Sequence, residues 1–108
     1  MSSTTITRGN SHETFYISPS ITPAAVAANT SAVQTFSVAG LQTTDFVVVQ
    51  GVVGSQTAGI VVAEADCLTA GVLSVQFANC ATASATPASG VYNVQITRLE
   101  GPAPVTAV

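Results

Sequence analysis

Charge is what this sequence has least of. Its 108 residues include two arginines, five acidic residues and no lysine, so only 6% of the chain is charged. About 25% is usual in a globular domain. The net charge is −3, and the basic residues form no cluster. Because binding to nucleic acid depends on Lys and Arg that neutralise phosphates, we expect no nucleic-acid partner.

Long apolar runs and signal sequences are also lacking. No stretch approaches the 18 or so apolar residues of a membrane-spanning helix, so we expect no membrane partner. The first residues, MSSTTITRGNSHE, show no charged region followed by an apolar one, so no secretory signal is visible. Tryptophan is absent, which removes the largest aromatic platform for binding a sugar.

Neutral residues replace the missing charge. The hydrophobic fraction of 47% is ordinary, so Ala, Thr, Ser, Gln and Gly fill the positions that charged residues usually take. Residues 73–97 contain no charge at all. A monomer of this size normally keeps its neighbours apart by charge. We therefore expect other chains to cover much of the surface.

Six segments carry strand signals bounded by Gly, Pro, Thr and Ser. Two of them alternate cleanly between apolar and polar residues, whereas FVVV and IVVA are continuous, as in strands that are covered on both faces. The segments are 13–17, 33–39, 45–50, 59–65, 72–77 and 91–98.

These signals predict an all-β fold, a compact antiparallel β-sandwich or barrel of about six to eight short strands with an extended N-terminal arm. We divide the chain into an arm (1–30), the sandwich domain (31–100) and an extended C-terminal tail (101–108). The predicted core consists of Phe36, Val38, Val48, Ile60, Leu73, Val75, Phe77, Tyr92, Val94 and Ile96.

The first 30 residues allow two interpretations. They are rich in Ser, Thr, Asn and Pro, with one apolar island of Phe15, Tyr16 and Ile17. The island could anchor an arm on a neighbouring subunit, or it could form a terminal strand of the domain's own sheet. In TPAAVAANT, Thr22 and Asn29 could cap a short helix, but an extended segment is an equal alternative.

Neither cysteine points to a disulfide or a nucleophile. If 59–66 pairs with 72–79, paired residue numbers add up to about 139, and Cys67 and Cys80 lie at opposite ends of the hairpin. Their separation is then roughly 23 Å at about 3.3 Å per residue, too far for a disulfide. We expect two small buried thiols. The one histidine, His12, lies in the predicted arm and does not suggest a catalytic pair.

The acidic residues do not predict a site either. Glu64 and Asp66 are two residues apart on a strand, so they share a face and could serve glycoside chemistry or bind calcium. A pair facing solvent or an interface explains them better. Asp45 is explained by capping the turn before its strand. We therefore expect no enzyme, with no catalytic, metal-binding or cofactor-binding residue and no cofactor.

A set of motifs extends along residues 28–98. The pattern is a Thr-Phe-x-Val strand, Gly-Leu, an Asp before a Val-rich strand, Gly-Ile, Leu-x-Val-x-Phe-x-Asn, and a Thr-Pro-x-x-Gly-x-Tyr turn. It is carried here by Thr35, Phe36, Val38, Gly40, Leu41, Asp45, Gly59, Ile60, Leu73, Val75, Phe77, Asn79, Thr86, Pro87, Gly90 and Tyr92.

This set of motifs resembles a module found in virion proteins of tailed bacteriophages. The resemblance implies a capsid decoration (cement) protein on the virion exterior. Such a protein would be assembled in the cytoplasm of the bacterial host. It would form a homotrimer, so its partners would be other copies of itself and the major capsid protein. The arm and the tail lie outside the module, so the resemblance says nothing of their contacts. One alternative is a tail, head-fibre or receptor-binding module of the virion. Another is a non-viral surface or matrix subunit, which should carry a signal peptide.

Overall fold

The computed structural model describes residues 5–6, 9–103 and 105–107. Along its strands, side chains alternate between the core and the outside. The predicted all-β class is confirmed. The described residues form nine strands, and seven of these make up two antiparallel sheets. No helix occurs in these described ranges. The strands are β1 (Thr5–Ile6), β2 (Ser11–Ile17), β3 (Ser20–Ile21), β4 (Thr30–Ser37), β5 (Phe46–Val52), β6 (Ile60–Thr69), β7 (Val72–Asn79), β8 (Gly90–Leu99) and β9 (Thr106–Ala107). The short β1 and β9 pair with each other in parallel.

The first sheet is built around β8. On one edge, β2 pairs with β8 from Ser11 to Ile17, and β3 continues the ladder in the same register. Pro19 lies between them and its carbonyl accepts a hydrogen bond from the backbone N–H of Tyr92. Proline lacks an N–H and is tolerated on an edge strand. On the other edge, β5 pairs with β8.

The second sheet has the order β4-β7-β6. The β6–β7 hairpin pairs Ile60 with Asn79, in the register that the sequence predicts. Two irregularities then shift the register, so that Thr69 lies opposite Val72. The two-residue turn includes Gly71 at a φ of 78°, a conformation that glycine adopts without steric cost.

The core lies between the two sheets. Tyr92 and Phe77 meet edge to face, with ring centroids 6.3 Å apart. Of the ten predicted core residues, seven are buried, and Phe36 and Val38 pack against the core while partly exposed. The buried seven are Ile60, Leu73, Val75, Phe77, Tyr92, Val94 and Ile96.

The prediction that Val48 belongs to the core is wrong, because its side chain is 59% exposed. Its neighbours Val47 and Val49 pack against the core instead. The continuous FVVV segment suggested a strand covered on both faces. In the structure β5 is covered on one face only, so its apolar residues alternate between the core and the outside.

Residues 22–29 do not form the possible short helix but run across the domain in an extended path. Val26 is buried and exchanges backbone hydrogen bonds with Ala85, at 2.8 and 3.1 Å. Asn29 does adopt a left-handed conformation, with a φ of 55°. The charge-free loop between β7 and β8 is thereby held against this segment.

Candidate interaction surface

The outward side of the first sheet carries only neutral side chains along residues 14–18, 46–50 and 91–97, while His12 lies exposed at an irregularity of β2 just before them. Because Phe15, Val47 and Ile96 point inward, their neighbours along each strand point outward. We call this surface the neutral face. It consists of Thr14, Tyr16, Ser18, Phe46, Val48, Gln50, Val91, Asn93, Gln95 and Thr97.

Apolar side chains flank a row of polar ones on the neutral face. Tyr16 on one edge strand is 74% exposed, and Phe46 and Val48 on the other are 54% and 59% exposed. Gln95 of the central strand lies between Tyr16 and Val48 in the register. Large exposed apolar side chains gathered around polar ones on one face are typical of an interaction site.

The polar groups of the neutral face bond to each other. The Ser18 hydroxyl donates to Oδ1 of Asn93 over 3.1 Å, and Nδ2 of Asn93 donates to Oε1 of Gln50 over 3.2 Å. Beside Tyr16 they line a shallow groove of about 340 Å³. Part of the polar surface is therefore already satisfied before any partner arrives.

The outward side of the second sheet carries the exposed acids. Glu64 lies opposite Gln76 and Asp66 lies opposite Ser74, so the two acids share a face as the sequence predicts. Val33 and Val61 are exposed on the same side, at 61% and 50%. We call this surface the acidic face. Within the described ranges, no three His, Cys, Asp or Glu residues gather where a metal could bind.

Three other charged residues form one cluster at an edge of the sandwich. Arg98 donates from Nε to Oδ1 of Asp45 and from Nη2 to Oδ2, at 2.9 and 2.8 Å. Glu13 lies 3.7 Å from the same guanidinium, which sits 5.1 Å from the ring centroid of Phe15. The cluster ties β2 and β8 to the loop before β5.

Arg98 also controls the ionisation of Asp45. Its hydrogen bonds hold the pKa of the Asp45 carboxyl below the usual range, with help from the backbone N–H of Gln42, while burial opposes the shift. The turn capping predicted for Asp45 is thus present. The sequence analysis missed its partner, because 53 residues separate the two and nothing local signals the pair.

The predicted arm residues lie in β2, paired with β8 of the same chain. Of the two interpretations, the structure therefore shows a terminal strand on the domain's own sheet. Phe15 and Ile17 pack against the core, and Tyr16 points outward. Tyr16 alone of the three has its side chain largely available to another molecule.

Both cysteines are free, but only one is buried. The thiol of Cys67 donates to the carbonyl of Thr69 over 3.1 Å. Cys80 is exposed, which corrects the expectation of two buried thiols, because it follows the end of β7. His12 lies exposed on β2, in the other sheet.

Comparison with protein-family models, curated proteins and solved structures gives no match for this chain. Across the described ranges, no helix is long and apolar enough to cross a membrane. The protein is a small all-β sandwich, and the neutral face is its best-defined candidate site.

Proposed function

We propose that this protein is a capsid decoration protein of a tailed bacteriophage, which binds the outside of the capsid lattice as a homotrimer and stabilises it. One observation carries the proposal: both sheets expose large apolar side chains, while Glu64 and Asp66 are the charges on their described outer faces. The resemblance of residues 28–98 to virion modules supports a virion as the assembly to which the protein belongs.

A neutral surface suits a protein that is held in a lattice. A charge buried without a partner in an interface costs several kcal/mol, whereas short neutral side chains lose little rotamer entropy when they are immobilised. The chain also gathers Glu13, Asp45 and Arg98 into one internally paired cluster. Two free thiols are compatible with assembly in a reducing bacterial cytosol.

The function would follow from linked binding. A molecule that binds the assembled shell, and not its separated subunits, stabilises the shell by mass action. Contacts that span neighbouring capsid subunits must break before those subunits can separate. No catalytic step is part of the proposal, and its partners are other copies of this chain and the major capsid protein.

The test is to add the purified protein to phage capsids that lack it. The proposal expects saturable binding to the shells and a rise in their melting temperature, with no rise for the dissociated capsid protein. A shell preparation of an unrelated phage serves as the control. Failure to bind any shell, at concentrations where the protein is folded, would contradict the proposal.

A second candidate is a receptor-binding module of a tail or head fibre. The groove beside Tyr16, with Ser18, Gln50, Asn93 and Gln95 around it, offers a ring and neutral hydrogen-bonding groups that could hold an uncharged sugar. Titration with neutral bacterial surface glycans tests this candidate, and a Tyr16→Ala variant should lose any binding that uses the groove.

A further inference from the structure

We infer that the neutral face is where copies of this chain associate with one another. The inference deepens the proposed function and rests on it in one respect, that the chain works as an assembly of copies. It names the surface that holds the assembly together. Contact of this face with the same face of a second copy forms a two-fold pair, so a homotrimer would need a different contact between copies, and sedimentation measures which number of copies forms.

The charge distribution favours a second copy as the occupant. In a closed symmetric assembly, residues near the rotation axis meet their own counterparts. A charge at that place would face a like charge, which is destabilising. A neutral amide such as that of Gln95 both donates and accepts, so it can pair with itself. All ten side chains of the neutral face are uncharged.

The exposed acids of the second sheet lie outside the proposed contact. Each chain carries a net charge of −3, so copies repel one another. Glu64 and Asp66 lie on the outer side of the second sheet and not on the neutral face, although they line a groove with Val48 where β5 and β6 meet.

Part of the polar surface of the neutral face can be buried without loss of its hydrogen bonds. The bonds from Ser18 to Asn93 and from Asn93 to Gln50 remain intact when water is removed, so the atoms that form them keep a partner. Tyr16, Phe46 and Val48 supply exposed apolar area. Water loss from that area drives association.

The size of the face is that of a small interface. Three strands at the usual spacings cover roughly 15 Å by 20 Å. Two rough surfaces of this extent bury on the order of 1,000 Å² in total, the lower limit for a specific interface. We therefore expect a reversible association with a dissociation constant in the micromolar range.

Two valines provide a matched test in the full chain. Val48 on the neutral face is 59% exposed and Val33 on the acidic face is 61% exposed, and both lie on edge strands. Sedimentation equilibrium across the micromolar range should show association of the wild type. Val48→Lys should weaken it on the order of tenfold or more, and Val33→Lys should leave it unchanged.

Gln95→Glu is the second variant, because it introduces a like charge at the centre with almost no change of shape. It should also dissociate the assembly, and circular dichroism with urea titration verifies that each variant is folded. A wild type that stays monomeric throughout, or association that is lost in Val33→Lys and kept in Val48→Lys, would overturn the inference.

Shell binding by the same variants separates the two proposals. If the wild type is monomeric and Val48→Lys abolishes shell binding, the capsid occupies the neutral face; the inference fails and the proposed function stands. If the wild type associates through Val48 but binds no shell, the function fails and the inference stands. If a neutral glycan competes with self-association, the contact between copies still lies on the neutral face, because the groove beside Tyr16 is part of that face.

Discussion

Asp45 is a buried carboxylate whose charge depends on one arginine. Its side chain has no exposure to solvent, whereas that of Arg98 is 22% exposed. Two parallel hydrogen bonds join the pair, and the carboxylate also accepts from the N–H of Gln42. Such charge-assisted bonds are stronger than neutral ones, so the pair fixes the start of β5 against β8.

The lowered pKa of Asp45 makes part of the stability dependent on pH. The contribution of the Asp45–Arg98 pair to the free energy of unfolding is fully present above about pH 4, which is close to the ordinary pKa of an aspartate. It is lost as the pH falls through the lower pKa that Asp45 has in the folded state. Asp45→Asn should therefore reduce the free energy of unfolding by about 1–3 kcal/mol at pH 7. The difference from wild type should shrink below about pH 4.

Urea titrations at a series of pH values measure this effect. Glu64→Gln is the control, since Glu64 is exposed and its replacement should change stability little. An Asp45→Asn variant as stable as wild type at pH 7 would show that the ion pair contributes nothing net.

Asn79 joins three segments through one buried amide. Its Nδ2 donates to the carbonyls of Val26 and Ala83, both at 3.0 Å, and its Oδ1 accepts from the N–H of Ala81 at 2.9 Å. Gly59 lies beside it with a φ of 85°, and a Cβ there would come within 3.0 Å of the Ala81 side chain. The path of the loop after β7 depends on this contact.

Asn79→Asp tests the amide with almost no change in size. An ionised carboxylate cannot donate, so two carbonyl acceptors would face a buried negative charge. We expect a loss of about 2–4 kcal/mol in the free energy of unfolding near neutral pH, measured by urea titration. Asn93→Asp, on the neutral face where water can reach the new charge, should cost much less; equal losses would contradict this account.

At the scale of elements, β5 shows how far the sequence predicts this fold. Strand existence and the β6–β7 register follow from alternation and turn residues, which are local signals. Which side of FVVV is buried is not local, because Val47, Val48 and Val49 are chemically identical. The pairing of β5 with β8 determines which of the valines face the core, and it places Val48 on the outside.

The candidate site was harder to predict than the core. Tyr16 was expected to matter for contacts, but its partners on the neutral face come from strands 30 and more residues away. The pairing of Asp45 with Arg98 likewise spans 53 residues. The low charge of the chain was visible at once, whereas the sorting of neutral and acidic residues onto separate faces required the topology.

Threonine substitutions along β5 test which valines matter to the core. Threonine keeps the β-branched shape of valine and replaces one methyl group with a hydroxyl. Val49→Thr places the hydroxyl against the core and should cost about 1–2 kcal/mol in the free energy of unfolding. Val48→Thr should stay within about 0.5 kcal/mol, as for other surface changes. The opposite order in urea titrations would mean that β5 is turned by one residue.

At the scale of the whole molecule, the response of self-association to salt distinguishes a neutral contact from a charged one. Interfaces that depend on ion pairs weaken as salt rises, because salt screens the attraction. The proposed contact contains no charge, and the only long-range electrostatic term between copies is repulsion arising from a net charge of −3. Salt should therefore strengthen association.

The expected effect is a tightening of a few-fold in the dissociation constant between low salt and about 0.5 M sodium chloride, where the Debye length is well below 10 Å. Lowering the pH from 7 towards the isoelectric point of about 4.5 should act in the same direction, since it removes the same repulsion. Sedimentation equilibrium of the wild type measures both. Weakening by salt would contradict the neutral contact and would indicate a contact that depends on ion pairs between copies.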